Sequence, residues 1–331
     1  MIGSSLDNGR ISCYFNGRRE TGEGRRSTHV TIRSVARFPS PVAQKFSSMK
    51  NLFTILLAAS IAIPAFAQND DITVCHTSSV ERFAAFASDP TFNAEHPTPR
   101  AYTHISQAGG KMIKFPTPGG QEANGYLLEA KNKTNNWILV YQEWWGLNDN
   151  IKRESENLYN QLGNVNVLAV DMYDGKVATT AEEAGKTMQQ FKESRGNAIT
   201  QGAIKYVGPN AKIGTIGWCF GGGLSLLAAL EAGKQAVACV MYYGMPLDDP
   251  EMLKKLNCDV LNIWPTKDRR INREVMDKFE ANMKKAGKSL TIKSYDADHA
   301  FANPSNTNGY NEAAAKDAWK NTIDYFKARL K

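Results

Sequence analysis

Lys212-Ile213-Gly214-Thr215-Ile216 runs straight into Gly217-Trp218-Cys219-Phe220-Gly221, and then into Gly222-Gly223-Leu224-Ser225-Leu226-Leu227-Ala228-Ala229-Leu230. The first block reads as a buried strand and the last as a helix. Between them, a thiol has one glycine two residues before it and another two residues after it. A sharp strand-to-helix turn that presents a nucleophile needs this spacing. The residue at the tip takes a strained conformation, and glycine lets the neighbouring backbone pass without a Cβ clash. Cys219 is therefore expected to be a nucleophile. A buried structural cysteine in a glycine-rich turn is the plainer alternative.

The choice between them rests on partners. The histidines are His29, His76, His96, His104 and His299, and His299 alone follows Cys219. In α/β hydrolases the chain order is nucleophile, acid, histidine. His299 lies in Asp296-Ala297-Asp298-His299-Ala300-Phe301, just after the strand-like Leu290-Thr291-Ile292-Lys293-Ser294-Tyr295. That is a loop at a strand end, where such folds carry their catalytic groups. The acid should follow the preceding strand, Asp259-Val260-Leu261-Asn262-Ile263-Trp264. Asp268 is the best placed, to fix the imidazole tautomer and stabilise the imidazolium. Asp296 and Asp298 are too close in sequence to His299 and read as turn formers.

A further carboxylate stands out. Glu143 follows the apolar strand Trp137-Ile138-Leu139-Val140-Tyr141 and precedes Trp144-Trp145-Gly146. Desolvation among tryptophans should raise its pKa. A helix-capping or loop role is the alternative.

Strand and helix signals alternate along the chain. Strands are expected near 112–116, 124–130, 137–141, 165–170, 212–216, 236–242, 260–264 and 290–295. Helices are expected near 149–162, 181–207, 221–232, 250–256, 272–286 and 310–330. The first strands follow each other closely and should be antiparallel. The rest reads as βαβ units. The fold expected is α/β: an α/β-hydrolase fold, a mainly parallel central sheet with helices on both faces. Its domain spans 111–331. Residues 68–110 form a lead-in segment, with one short amphipathic helix around 80–87 and Pro97, Pro99, Gly109 and Gly110 as breakers.

Four blocks together resemble the dienelactone hydrolase (carboxymethylenebutenolidase) family: Gln142-Glu143-Trp144-Trp145-Gly146-Leu147-Asn148, Asp171-Met172-Tyr173-Asp174-Gly175-Lys176, Gly217-Trp218-Cys219-Phe220-Gly221-Gly222 and Asp298-His299-Ala300-Phe301. The resemblance covers about 111–331. It implies Cys219 as nucleophile, Asp268 and His299 as its triad partners, and Glu143 as a switch that keeps the resting thiol protonated and takes its proton when substrate binds. A helix N-terminus lowers a thiol pKa while a nearby carboxylate raises it. The backbone N–H groups of Phe220 and Trp144 would form the oxyanion hole. Trp145, Tyr173, Trp218 and Asn303 are candidate substrate contacts. Asn303 stands where the best-known relatives place one of two arginines that grip a substrate carboxylate. The region of the second arginine, about 180–191, has Lys186 and no arginine. A lysine lacks the bidentate fork. A lactone or ester other than dienelactone is the expected substrate.

The amino-terminal region has its own pattern. Met49-Lys50-Asn51 precedes the 12-residue apolar run 52–63, and Pro64-Ala65-Phe66-Ala67 follows. This reads as a signal peptide over 49–67 with cleavage after Ala67. The run is short for a membrane span, and no stable membrane anchor is expected after cleavage. Export to a bacterial periplasm or secretion is the expected destination. Residues 1–48 hold eight Lys/Arg against three Asp/Glu and no sustained periodicity. They read as an extension that is not translated or, if made, a disordered basic tail. Without residues 1–67 the +7 of the whole chain falls to near neutrality. That leaves no basis for nucleic-acid binding.

Cys75, Cys219, Cys239 and Cys258 remain after the leader. Export permits disulfides, and a bridge between Cys75 and Cys258 is left open. No cysteine or histidine pair has zinc-ligand spacing, so no metal and no cofactor are expected. The absence of Cys-x-x-Cys argues against a thiol redox protein. The main alternative to a hydrolase is a non-catalytic small-molecule-binding protein on the same fold. No feature of the chain sets an oligomeric state.

Overall fold

A computed structural model describes residues 4–7, 10–13 and 78–331. It divides into two units, Met1–Asp70 and Asp71–Lys331. In the first, β1 (Ser4–Asp7) and β2 (Arg10–Cys13) pair as an antiparallel hairpin. The leader expected at 49–67, Cys75 and most of 1–48 lie outside the described residues.

The second unit is built on one eight-stranded sheet. Its strands are β3 (Lys111–Pro116), β4 (Glu122–Leu128), β5 (Asn136–Tyr141), β6 (Asn166–Val170), β7 (Lys212–Trp218), β8 (Ala236–Tyr242), β9 (Val260–Pro265) and β10 (Leu290–Tyr295). Their order across the sheet is β10-β9-β8-β7-β5-β6-β4-β3. β4 pairs antiparallel with β3 and β6, and the other pairs are parallel. This is an α/β-hydrolase fold. The central strands are buried on both sides, β6 and β9 along their whole length. That is why they read as continuous apolar runs rather than as alternations.

The helices are α1 (Ser79–Ala84), α2 (Pro90–Glu95), α3 (Asp149–Leu162), α4 (Ala181–Gln189), α5 (Glu193–Val207), α6 (Phe220–Ala232), α7 (Pro250–Leu253), α8 (Arg273–Lys285) and α9 (Glu312–Arg329). Two expectations need correction. The single helix read over 181–207 is two, α4 and α5, parted at 190–192. No proline causes the break. The Phe191 ring turns inward and packs on Phe220, centroid to centroid 5.2 Å. Gly196 makes room for it, since a Cβ there would lie 2.4 Å from the Phe191 ring. The helix near 80–87 is α1 continued by a 3₁₀ turn, and a second short helix, α2, follows it. Asp89 caps α2 and Pro90 opens it, a start signal present in the sequence.

The lead-in is part of this unit. Glu156 of α3 is buried, and it accepts hydrogen bonds from the backbone N–H of Gln107 and Ala108 and from the Ser106 hydroxyl. His104 Nε2 lies 3.0 Å from the same carboxylate.

The strand-to-helix turn depends on close backbone approach. A Cβ at Gly221 would sit 2.3 Å from the Tyr141 carbonyl oxygen and 2.4 Å from that of Gln142. Both belong to backbone at the end of β5, which cannot yield cheaply. Gly221→Ala is expected to lose about 3 kcal/mol of stability, read as a fall in the urea midpoint. An unchanged midpoint would show that α6 does not dock against β5 as described.

Candidate active site

Cys219 stands between β7 and α6 with φ 57° and ψ −119°. A non-glycine residue at positive φ is held there at a cost. Its N–H donates to the Tyr242 carbonyl at the end of β8, and its carbonyl accepts from Gly222 N–H, each at 3.0 Å. The side chain is buried and sits at the amino end of α6. Burial pushes the thiol pKa up, Glu143 adds to that push, and His299 and the Phe220 N–H only partly counter it. The resting sulfur is therefore a thiol.

Asp268 lies in the turn after β9. Its Oδ1 accepts the backbone N–H groups of Arg270 and Ile271, both at 2.9 Å. Its Oδ2 faces His299 Nδ1 at 2.5 Å. Burial opposes its ionisation, but His299 and these N–H donors keep its pKa below the ordinary value. An ionised carboxylate can only accept, so Nδ1 carries the His299 proton. His299 Nε2 is buried and has no hydrogen-bond partner. It looks toward Cys219: Sγ and one ring nitrogen each of His96 and His299 all lie within 4.8 Å of one another. Burial disfavours the His299 imidazolium; the Asp268 carboxylate, and Cys219 once it is a thiolate, favour it and raise the pKa. Asp296 and Asp298 are exposed, and Asp296 pairs with Lys267 instead.

Glu143 is buried just after β5. Its Oε2 accepts from Asn303 Nδ2 at 2.6 Å. Burial raises its pKa to about 7, against the pull of His299 and Asn303. The folded protein then holds this proton more tightly than the unfolded chain. Stability should fall as pH rises from about 4.5 through about 7, by up to about 3 kcal/mol above that window. Glu143→Gln is expected to remove that fall. Urea midpoints of parent and variant at pH 5 and pH 8 check it, and parallel pH dependences would refute it.

The other sequence candidates take defined places. Phe220 opens α6, and Trp144 follows Glu143. Trp145 and Asn303 line a cavity of about 10 Å³ with His96 and Glu143, room for about one water. The Tyr173 ring packs on Phe220, and its buried hydroxyl has no partner. Trp218 stacks on Tyr242 and lines a separate small cavity that also reaches Glu143 and Asn303.

Sequence spacing did not single out three features. Tyr243 follows β8 at φ 39°, its ring is 5.0 Å from that of His299, and its buried hydroxyl is unpartnered. The lead-in segment covers the site: the Phe83 ring lies 6.2 Å from Phe220, and the Phe92 ring 5.0 Å from Trp144. His96, from the same segment, sits with Nε2 4.0 Å from Cys219 Sγ. Its Nδ1 lies 2.7 Å from the Phe92 carbonyl, which can only accept, so Nδ1–H donates. Burial and the neighbouring His299 lower the His96 pKa to about 3, and its Nε2 lone pair faces the thiol. The cluster of Phe83, Phe86 and Phe92 and the Asp89-Pro90 helix start were the available signals that this segment buries a face.

Arg270, two residues beyond Asp268, fastens the cover. Its guanidinium pairs with Glu95 and, at 2.8 Å, with Asp89, and lies 4.9 Å above the Phe92 ring. Weakening the closed state by 1.4 kcal/mol raises the open fraction about tenfold. Arg270→Met is therefore expected to speed iodoacetamide alkylation of Cys219 roughly tenfold. An unchanged rate would mean that the cover does not limit access.

The sequence profile described as "Dienelactone hydrolase family" matches residues 123–330. The chain belongs to the dienelactone hydrolase family. This family member is a carboxylic ester hydrolase. It is 29% identical over 237 residues to "Protein usf" of Aquifex pyrophilus, covering 67% of this chain and 99% of that one. It is 27% identical over 238 residues to an Aquifex aeolicus (strain VF5) protein provisionally named as a carboxymethylenebutenolidase, covering 67% and 100%. The fold matches the crystal structure of a dienelactone hydrolase-like promiscuous phosphotriesterase from metagenomic libraries, with TM-score 0.59, 21% identity and coverage of 67% and 99%. The family match begins after α1, α2 and His96.

Proposed function

We propose that this hydrolase cleaves an uncharged lactone or carboxylic ester through a thioester on Cys219. His299 Nε2 takes the thiol proton, with Glu143 as the alternative acceptor when substrate draws it from Asn303. Sγ then bonds to the acyl carbon. The oxyanion lies between the N–H groups of Phe220 and Trp144, where loss of one donor typically costs about 100-fold or more. The carbon–oxygen bond breaks, and the leaving oxygen takes the proton back from His299. Water, deprotonated by the same nitrogen, attacks the thioester and frees the acid and the thiol. Asp268 holds the imidazole in the required tautomer throughout.

The observation that carries this reading is the unpartnered His299 Nε2 beside the thiol, with Nδ1 tied to Asp268. A pure binding protein has no use for that arrangement. The uncharged substrate follows from the site lining: aromatic rings from the cover, and Asn303 bound to Glu143 where an arginine would have gripped a carboxylate. The test is rapid quenching with a p-nitrophenyl ester, followed by peptide mass mapping. An acyl mass on Cys219 supports the mechanism, and turnover with the acyl group on another residue refutes it.

Export fits the leader pattern at 49–67, and cleavage after Ala67 is part of the proposal. Amino-terminal sequencing of the protein from a periplasmic fraction should begin at Gln68. Recovery solely from cytoplasm with an intact Met1 would overturn it.

A further inference from the structure

Three ligand atoms of the kinds that zinc prefers converge at this site from distant parts of the chain. They are His96 Nε2, Cys219 Sγ and a ring nitrogen of His299, mutually within 4.8 Å and all on buried residues. The outer nitrogen of each imidazole is already held. His96 Nδ1–H donates to the Phe92 carbonyl, and His299 Nδ1–H donates to the Asp268 carboxylate. Zinc-binding histidines characteristically have their second nitrogen tied to a carbonyl or carboxylate in this way. It fixes the ring and turns the Nε2 lone pair toward one point. His299 Nε2 has no partner of its own. In a tetrahedral zinc site, nitrogen and sulfur ligands stand roughly 3.5 Å apart. His96 Nε2 and Cys219 Sγ, at 4.0 Å, need approach by only about half an ångström.

We propose that the described unit binds one zinc-class divalent cation between His96, Cys219 and His299. The cation replaces the thiol proton, which leaves to solvent, and forms bonds to Sγ and the two Nε2 atoms. The fourth position is open to water. Sulfur so engaged cannot attack an acyl carbon. Because His96 belongs to the covering segment, while Cys219 and His299 stand just beyond the ends of β7 and β10, the same ion staples the cover shut. Zinc is then a reversible inhibitor that locks the closed state. Nothing in this depends on the identity of the ester substrate.

The experiment uses the full chain, freed of metal by chelator. Zn²⁺ is titrated by calorimetry and Cd²⁺ by near-ultraviolet absorption, where a cadmium–thiolate bond absorbs. Binding that needs Cys219 and His96, with a cadmium–thiolate band, is expected. The Cd²⁺ band should vanish in Cys219→Ser, and half-saturation should rise at least about tenfold in His96→Gln. Zn²⁺ should also slow iodoacetamide modification of Cys219 in the unsubstituted protein, located by peptide mapping. That arm decides the matter if His96→Gln fails to fold. Absence of micromolar binding, affinity unchanged in either variant, or alkylation of Cys219 not slowed by Zn²⁺ would each overturn the three-ligand site. Thioester formation on metal-free protein would stand in any of those cases.

Discussion

Cys219→Ala is expected to lower kcat toward an aryl ester by at least about 10⁴-fold, with KM little changed. Removing a nucleophile leaves the oxyanion donors and the binding pocket, which together sustain only a small residue of catalysis. The substitution is small and apolar, in a buried position, so the fold should survive. A melting curve confirms that the comparison is between folded proteins. A variant that keeps more than a tenth of the parent rate would remove the thiol from the mechanism and leave the family fold without this chemistry.

Asp268→Asn should cost roughly 10³- to 10⁴-fold in kcat. The asparagine oxygen can still accept from the Arg270 and Ile271 N–H groups, which fixes how the side chain sits. Its amide NH₂ then points at His299 Nδ1 and donates to it. The ring must carry its proton on Nε2, where it can no longer accept from the thiol. The same change removes the charge that chiefly offsets burial and raises the His299 pKa, so the imidazolium form becomes harder to reach. Steady-state kinetics on folded variant, with kcat and KM separated, test this. A loss smaller than tenfold would mean that Asp268 serves only to build its turn.

Much of this site was legible because its parts obey short-range rules. The glycines around Cys219 mark close backbone approach: a Cβ at Gly217 would strike the Gly221 carbonyl oxygen, and one at Gly221 the carbonyl oxygens of Tyr141 and Gln142. Asp268 follows the buried apolar run of β9 and His299 the alternating strand β10, both plain in the sequence, so strand-end placement was enough to pair them. Glu143 could be read as desolvated from its tryptophan neighbours. What spacing could not carry was contact through space. His96 lies 123 residues before Cys219, and its place near the thiol depends on Arg270, Asp89 and Glu95 fastening α2. For the same reason the sequence has no zinc-ligand spacing, although two histidines and a cysteine meet in the folded chain. The break between α4 and α5 follows from the tertiary packing of Phe191 on Phe220, which outweighs local helix propensity.

One consequence of the bend at residue 219 concerns evolution under heat. A side chain at positive φ costs the folded state free energy that glycine would not. Selection for thermostability alone would therefore push that codon toward glycine, and selection for turnover would restore the sulfur.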